Sequence, residues 1–258
     1  MKHFILKEEP DKDSIVRLGN DDYHYLVRVR RLAPGEFFPA LLPGGSEVLV
    51  QVQSLDCGVL TGKCVAENAD NAGSAEKLPP MFLFQALPKN EKMDLIVRQA
   101  AETGLAEIVP FVSEFSISKI KGDGRQKLHR WERIIKEARQ QSGSATATAV
   151  RLPLTMGGLF AYWEELKKKM PQALGLLFHH LPLAQKSLHS YLERVPQAVA
   201  MAIGPEGGFS DLEVSRFLEA GFMPLTIGDT ILRTETAALY CAASIRIILL
   251  ERDSWMLK

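Results

Sequence analysis

From residue 81 onward, short apolar runs of strand length alternate with stretches of helix length, and few folds satisfy that alternation. Strands are predicted at 81–87, 107–112, 173–178, 198–203 and 224–227. Helices are predicted at 92–103, 125–140, 158–169, 183–194 and 211–220, with a last one over 234–250. Gly104 and Gly221 stand where two of these helices stop. Strand–helix alternation predicts a mostly parallel sheet covered by helices. Earlier in the chain the pattern differs. Residues 37–42, 47–52 and 59–65 are β-rich runs separated by Pro43-Gly44-Gly45 and Asp56-Cys57-Gly58, which predicts a small β-barrel. Residues 68–80, with Ala, Asn, Gly and Ser and closing on a Pro pair, read as a linker. Two domains are therefore expected, 1–72 and 73–258.

In an open α/β sheet, ligands bind in the crevice beyond the carboxyl ends of the strands. Two runs sit at such ends: Ile203-Gly204-Pro205-Glu206-Gly207-Gly208-Phe209-Ser210 and Leu232-Arg233-Thr234-Glu235-Thr236-Ala237. Three glycines in five positions let backbone approach a ligand closely. Ser210, with Glu213 three residues on, reads as the capping box of the next helix. The loop is neither G-x-x-x-x-G-K-[ST] nor G-x-G-x-x-G. Glu206 would repel a phosphate, and Pro205 removes an N–H that a phosphate would use. Two readings stand: a loop that holds a neutral or cationic ligand, or a tight connection before a capped helix.

Bulk properties narrow the classes. The formal charge is zero, with 31 Lys and Arg against 31 Asp and Glu, which excludes a protein that coats phosphates indiscriminately but leaves room for local basic patches. Two such stretches exist. Arg28, Arg30 and Arg31 alternate with Val27, Val29 and Leu32, as in a strand with one charged face. Residues 119–139 hold eight Lys and Arg around His129 and Trp131, two rings that offer stacking surface. Either stretch is also consistent with a solvated face. Cys57, Cys64 and Cys241 have no metal-ligand spacing, so reduced cysteines, no metal and a cytoplasmic setting are expected. No apolar run is long enough to span a bilayer, and no signal-peptide core is visible.

The two loop runs closely resemble the signature of the 16S ribosomal RNA uridine N3-methyltransferases, a branch of the SPOUT methyltransferases. The resemblance continues in His24-Tyr25-Leu26 through Gly35-Glu36, in Gln85-Ala86-Leu87-Pro88-Lys89, in Lys92-Met93-Asp94 with Glu102-Thr103-Gly104, and in Arg130-Trp131 with Glu137-Ala138 and Gln141-Ser142. It implies a trefoil-knotted parallel sheet with helices on both faces and an N-terminal PUA-like β-barrel. It also implies S-adenosyl-L-methionine as cofactor, 16S rRNA or the assembled small subunit as substrate, and a homodimer built around the last helix. That helix carries Ala237, Ala238, Ala242 and Ala243, small residues suited to close approach or to packing on the sheet.

By the same resemblance, the cofactor would be held by His179, Ile203, Gly204, Glu206, Gly207, Ile227, Gly228, Ile231, Leu232 and Thr234. Arg233 would contact the target base and stabilise its developing imide anion. Glu235 would bind the base or accept its proton. His24, Arg28, Arg30, Arg31, Lys119 and Arg130 would contact RNA. Plainer readings compete: an ion pair of Arg233 with Glu235 or Glu206, a surface carboxylate at Glu206, Thr234 as the cap of the last helix, and packed or solvated histidines at His179-His180. Alignment supplies roughly 7–11 kcal/mol of a methyl transfer. A positioned base adds about 10²–10⁴-fold, so a strong base is not required.

Two cations common in that family are missing: Phe115 stands where an arginine is usual in Ser113-Glu114-Phe115-Ser116, and Ser144 follows Gly143. A non-catalytic RNA-binding or ribosome-assembly protein and a nucleotide-binding Rossmann-like oxidoreductase are the alternatives. The second lacks the dinucleotide fingerprint.

Overall fold

The computed structural model describes residues 3–44, 46–65, 78–116, 124–180, 183–226 and 228–251. The predicted linker up to residue 77, Lys119 and Ile227 lie outside the described residues. The chain divides into two compact units, Met1–Glu76 with Arg139–Ala147 and Lys77–Ala138 with Thr148–Lys258.

The first unit contains β1 (Phe4–Ile5), β2 (Ile15–Leu18), α1 (Asn20–Tyr23), β3 (Phe37–Leu41), β4 (Glu47–Asp56) and β5 (Val59–Val65). The sheet order is β1-β3-β4-β5-β2, with β1 parallel to β3 and the other pairs antiparallel. Inward side chains of alternating strand positions, such as Phe38, Val50, Val52 and Leu60, close a small core with Phe4 and Leu26.

The arginine stretch is not the predicted strand. α1 runs on into a π-helical turn over His24–Val29. Asp22 and Leu26, one helical turn apart, are the buried positions, and Lys7 pairs with Asp22 at 2.5 Å. A strand would put Val29 on the same side as Val27, yet Val29 is 60 % exposed. The inward pair at a spacing of four outweighs the apparent alternation.

The second unit contains β6 (Met81–Ala86), α2 (Lys92–Glu102), β7 (Glu107–Val112), α3 (Arg125–Ser142), β8 (Ala149–Val150), β9 (Leu154–Thr155) and α4 (Met156–Lys169). It continues with β10 (Ala173–Phe178), α5 (Leu188–Tyr191), β11 (Ala198–Ile203), α6 (Asp211–Glu219), β12 (Phe222–Leu225) and α7 (Thr234–Leu250). All pairings are parallel, in the order β12-β10-β11-β6-β7-β8, with β9 also on β7.

β11 shows how the two sheet faces are specified. Val199, Met201 and Ile203 join the core beneath α2, α3 and α7. Ala198, Ala200 and Ala202 face the other side, where Phe84, Trp163, Phe217 and Phe222 fill the space beneath α4 and α6. Small residues on that face of the central strand leave room for the rings, which meet at centroid distances of 4.8–6.2 Å.

The helix predicted over 183–194 shrinks to Leu188–Tyr191. The Gln185 carboxamide prefers a strand edge: its Oε1 accepts from the Thr226 N–H at 2.6 Å and its Nε2 donates to the Thr226 carbonyl at 3.3 Å. Those bonds extend the β12 backbone, and Ser187 then caps the one remaining turn.

Candidate functional site

A cavity of about 560 Å³ opens at the carboxyl ends of β10, β11 and β12, facing the start of α7. After β11 the chain passes over β10 to reach β12, so the cavity lies where strand order reverses, the usual ligand crevice of an open sheet. Its size is within the range of small-molecule sites.

The glycine loop forms one wall. Gly208 adopts φ +72°, and a Cβ on Gly204 would come within 3.1 Å of the Gly208 backbone, so the loop folds on itself only with glycine there. Ser210 caps α6 in the predicted box: its hydroxyl accepts from the Glu213 N–H, and its own N–H donates to Glu213. Glu213 also accepts from the Glu114 N–H at 2.8 Å, which ties the turn after β7 to this helix. Phe115 in that turn is 45 % exposed and touches Gly207, where a Cβ would stand 3.0 Å from the Phe115 Cβ.

The second wall is the run into α7. Arg233, not Thr234, is the N-cap residue, and its side chain makes no capping hydrogen bond. Thr234 is the first helical residue. Its hydroxyl donates to the Gly204 carbonyl at 2.7 Å and accepts from Gln85 Nε2 at 3.0 Å. The Thr234 side chain therefore locks loop to helix, which corrects the reading of Thr234 as the cap. The uncapped N–H groups at this end give the cavity a positive dipole end.

Of the residues singled out from sequence, His179, Ile203, Gly204, Glu206, Gly228, Ile231, Leu232, Arg233 and Thr234 line the cavity. Gly207 lies beside it, against Phe115. Ile231 is 76 % exposed, an apolar side chain held at the rim. His179 is buried, and its Nδ1 has no hydrogen-bond partner among the described residues. Burial first, and His180 second, push its pKa below the ordinary value, so the ring is held neutral.

Glu206 and Glu235 are both engaged. Glu206 accepts from the Lys89 N–H at 3.1 and 3.2 Å and pairs with Lys92 Nζ at 2.9 Å. Partial burial opposes its ionisation, but Lys92 and the backbone N–H groups prevail and hold the carboxyl below its ordinary value. Glu235 stands 3.5 Å from the same ammonium. The ion pair of Arg233 with either carboxylate is therefore not formed. Arg233 is exposed and makes no ion pair among the described residues.

In the basic helix, Trp131 is only 2 % exposed and belongs to the core, its Nε1 donating to Asp94 at 3.2 Å, so it offers no stacking surface. Arg130 is paired with Asp94 and Glu91. Arg139 is buried against the Ser144 and Ala145 carbonyls. His24, Arg28 and Arg31 are exposed in the first unit, and Arg30 is half-buried there. Gln85, Lys89 and Lys92, distant in sequence from both loop runs, also build the pocket or its walls and were missed, as was Cys241, one helical turn beyond the second run. The Gln85-to-Lys92 stretch, quoted only as part of a resemblance, was the available signal.

The donor set suits a ligand of mixed polarity. The cavity joins an apolar slot (Ile203, Leu225, Leu232) to an unpartnered buried imidazole nitrogen and an uncapped helix start.

A family model of the RNA methyltransferase domain matches residues 76–246. The chain is 33 % identical over 248 residues to the ribosomal RNA small subunit methyltransferase E of Synechocystis, covering 95 % of this chain and 77 % of that protein. It is 25 % identical to the protein of the same name from Bacillus subtilis, over 93 % of each chain. Its fold superposes with a TM-score of 0.78 on the crystal structure of a ribosomal RNA small subunit methyltransferase E from Neisseria gonorrhoeae bound to S-adenosyl methionine. That pair is 25 % identical and covers 96 % of this chain and 98 % of the other.

Proposed function

Because the chain belongs to the RNA methyltransferase family of the ribosomal RNA small subunit methyltransferases E, we propose that it methylates N3 of a uridine in 16S rRNA, using S-adenosyl-L-methionine. The observation that carries this reading is the cavity at the strand ends. Its walls are the two runs that resemble the family signature, and the Thr234–Gly204 bond joins them. S-adenosyl-L-methionine supplies a methyl group activated by a sulfonium. Ile203, Leu225, Leu232 and the loop backbone would hold its apolar part, with His179 and the α7 N–H groups for its polar ends.

The chain's own residues then act on the uridine. Arg233, exposed at the cavity and without a counter-ion among the described residues, stabilises the negative charge that develops on the imide as N3 loses its proton. Glu235 is committed to Lys92, so we assign it to holding the start of α7 in place, not to taking that proton. Alignment of the base against the cavity carries the larger share of the acceleration. The exposed His24, Arg28 and Arg31 of the first unit are assigned to the RNA backbone, with Arg30 beside them.

The reading extends to architecture and setting. We take the parallel sheet to be trefoil-knotted and the five-stranded sheet to close as a PUA-like barrel. We place the enzyme in the cytoplasm as a homodimer paired through α7. Outward-facing Thr236, Tyr240, Ala243, Ile247 and Leu250 support that pairing: they form one stripe at alternating spacings of four and three along the helix.

The test is to incubate small ribosomal subunits from a strain lacking this gene with the protein and S-adenosyl-L-methionine, then digest the 16S rRNA for mass spectrometry. A 3-methyluridine that requires both additions is expected. Its absence while S-adenosyl-L-methionine still binds would refute the substrate and leave the cofactor.

A further inference from the structure

We propose that Lys92 is a positioning residue that clamps the glycine loop to the start of α7 and so sets the cofactor wall of the cavity. The proposal rests on the reading of that cavity as the S-adenosyl-L-methionine site. Lys92 touches neither loop run in sequence and does not line the cavity. Its ammonium nevertheless reaches both walls, at 2.9 Å from Glu206 in the loop and 3.5 Å from Glu235 in α7. The Lys89 N–H adds a second anchor from the same connection into α2.

All three side chains are less than a third exposed, so this is not a pair of freely solvated surface charges. Among the described residues Lys92 is the only cation within ion-pair distance of either carboxylate. The Glu235 oxygen that faces Lys92 is enclosed with no hydrogen-bond donor among the described residues, so the ammonium at 3.5 Å is what offsets its charge. Without Lys92, two carboxylates share a partly buried space with no counter-ion. Their repulsion drives loop and helix apart where the Thr234–Gly204 bond holds them together.

Repulsion between two specific charges makes a prediction that simple loss of packing does not. Removing Lys92 should damage the site, and then neutralising Glu206 should partly repair it. Glutamine at 206 keeps an acceptor for the Lys89 N–H while removing the charge.

The test uses the full chain with Lys92→Met, Lys92→Arg, Glu206→Gln and the Lys92→Met/Glu206→Gln pair. S-adenosylhomocysteine affinity is read by calorimetry, and hydrogen exchange of amides 204–210 is read in the free proteins. Lys92→Met should weaken binding about tenfold and speed exchange across the loop. Lys92→Arg should bind within about twofold of the parent, and the double variant should bind more tightly than Lys92→Met alone. Unchanged binding and exchange in Lys92→Met would overturn the proposal, as would a double variant no better than the single. A parent that binds no S-adenosylhomocysteine would refute the cofactor reading. The exchange data would then still decide the clamp, because they need no ligand.

Discussion

Arg233 and Glu206 are neighbours of the same cavity with opposite circumstances. Arg233 is exposed and has no ion-pair partner among the described residues, which is why we propose that its charge serves the substrate. Replacing it with alanine is expected to lower kcat by about 10²–10³-fold, the size seen when one oxyanion donor is lost. Its S-adenosylhomocysteine affinity should stay near that of the parent, because the proposal pairs Arg233 with the base and not with the cofactor. A fall in affinity with unchanged kcat, measured by calorimetry and turnover, would reassign it to the cofactor. Glu206 is held ionised, and the sign of its pH dependence follows. Its folded-state pKa lies below the ordinary 4.5, so its stabilisation is complete above that value and is lost as pH falls through the lower one. The gap in melting temperature between the parent and Glu206→Gln should be constant near neutrality and shrink once pH drops below 4.5. Sequence could mark both residues as candidates, since each lies in a loop run. It could not supply their partners, because Lys92 comes from another helix and only the folded chain brings it within reach.

Elements were readable where one local rule dominates. The capping box of α6 is written in Ser210 and Glu213, and both of its bonds form. The β11 run is apolar throughout and pairs on both edges, as a buried parallel strand should. Two elements were misread where tertiary contacts outvote the local pattern: the arginine stretch, turned helical by the inward pair Asp22 and Leu26, and residues 183–187, drawn out by the Gln185–Thr226 bonds. The same logic separates the two halves of the capping box. Ser210→Ala removes one cap acceptor and should cost about 1 kcal/mol. Glu213→Ala strips acceptors from the Ser210 and Glu114 amides together, and Glu213 is itself buried, so about 2–4 kcal/mol is expected. Urea unfolding of both variants checks the order. Equal losses would mean that the Glu114 tie contributes nothing.

At the scale of the whole molecule, α7 has apolar residues on more sides than one chain can cover. Ala238, Cys241, Ala242, Ile245 and Leu249 face the core beneath α2 and α3. Two of the small residues that sequence suggested for helix pairing, Ala238 and Ala242, are therefore already used inside the protomer. What remains outside is larger: Tyr240, Ile247 and Leu250 are all about half exposed or more. Their spacing of seven and three residues keeps them on one side of the helix, a seam suited to a second helix of the same kind. A two-fold axis through that seam would bury each side chain twice, once from each copy. An isoleucine-sized side chain contributes about 1.5–3 kcal/mol on burial. Half of Ile247 is already covered within the protomer, so Ile247→Glu should forfeit about 1.5–3 kcal/mol per dimer and weaken association by about 10–10²-fold. The parent is expected to scatter light as a dimer at micromolar concentration and the variant as a monomer. Because α7 begins at the cavity, the monomer should also lose methyl transfer while circular dichroism reports an intact fold. A monomeric parent would end the pairing proposal. A dimer that Ile247→Glu leaves intact would move the interface off this stripe.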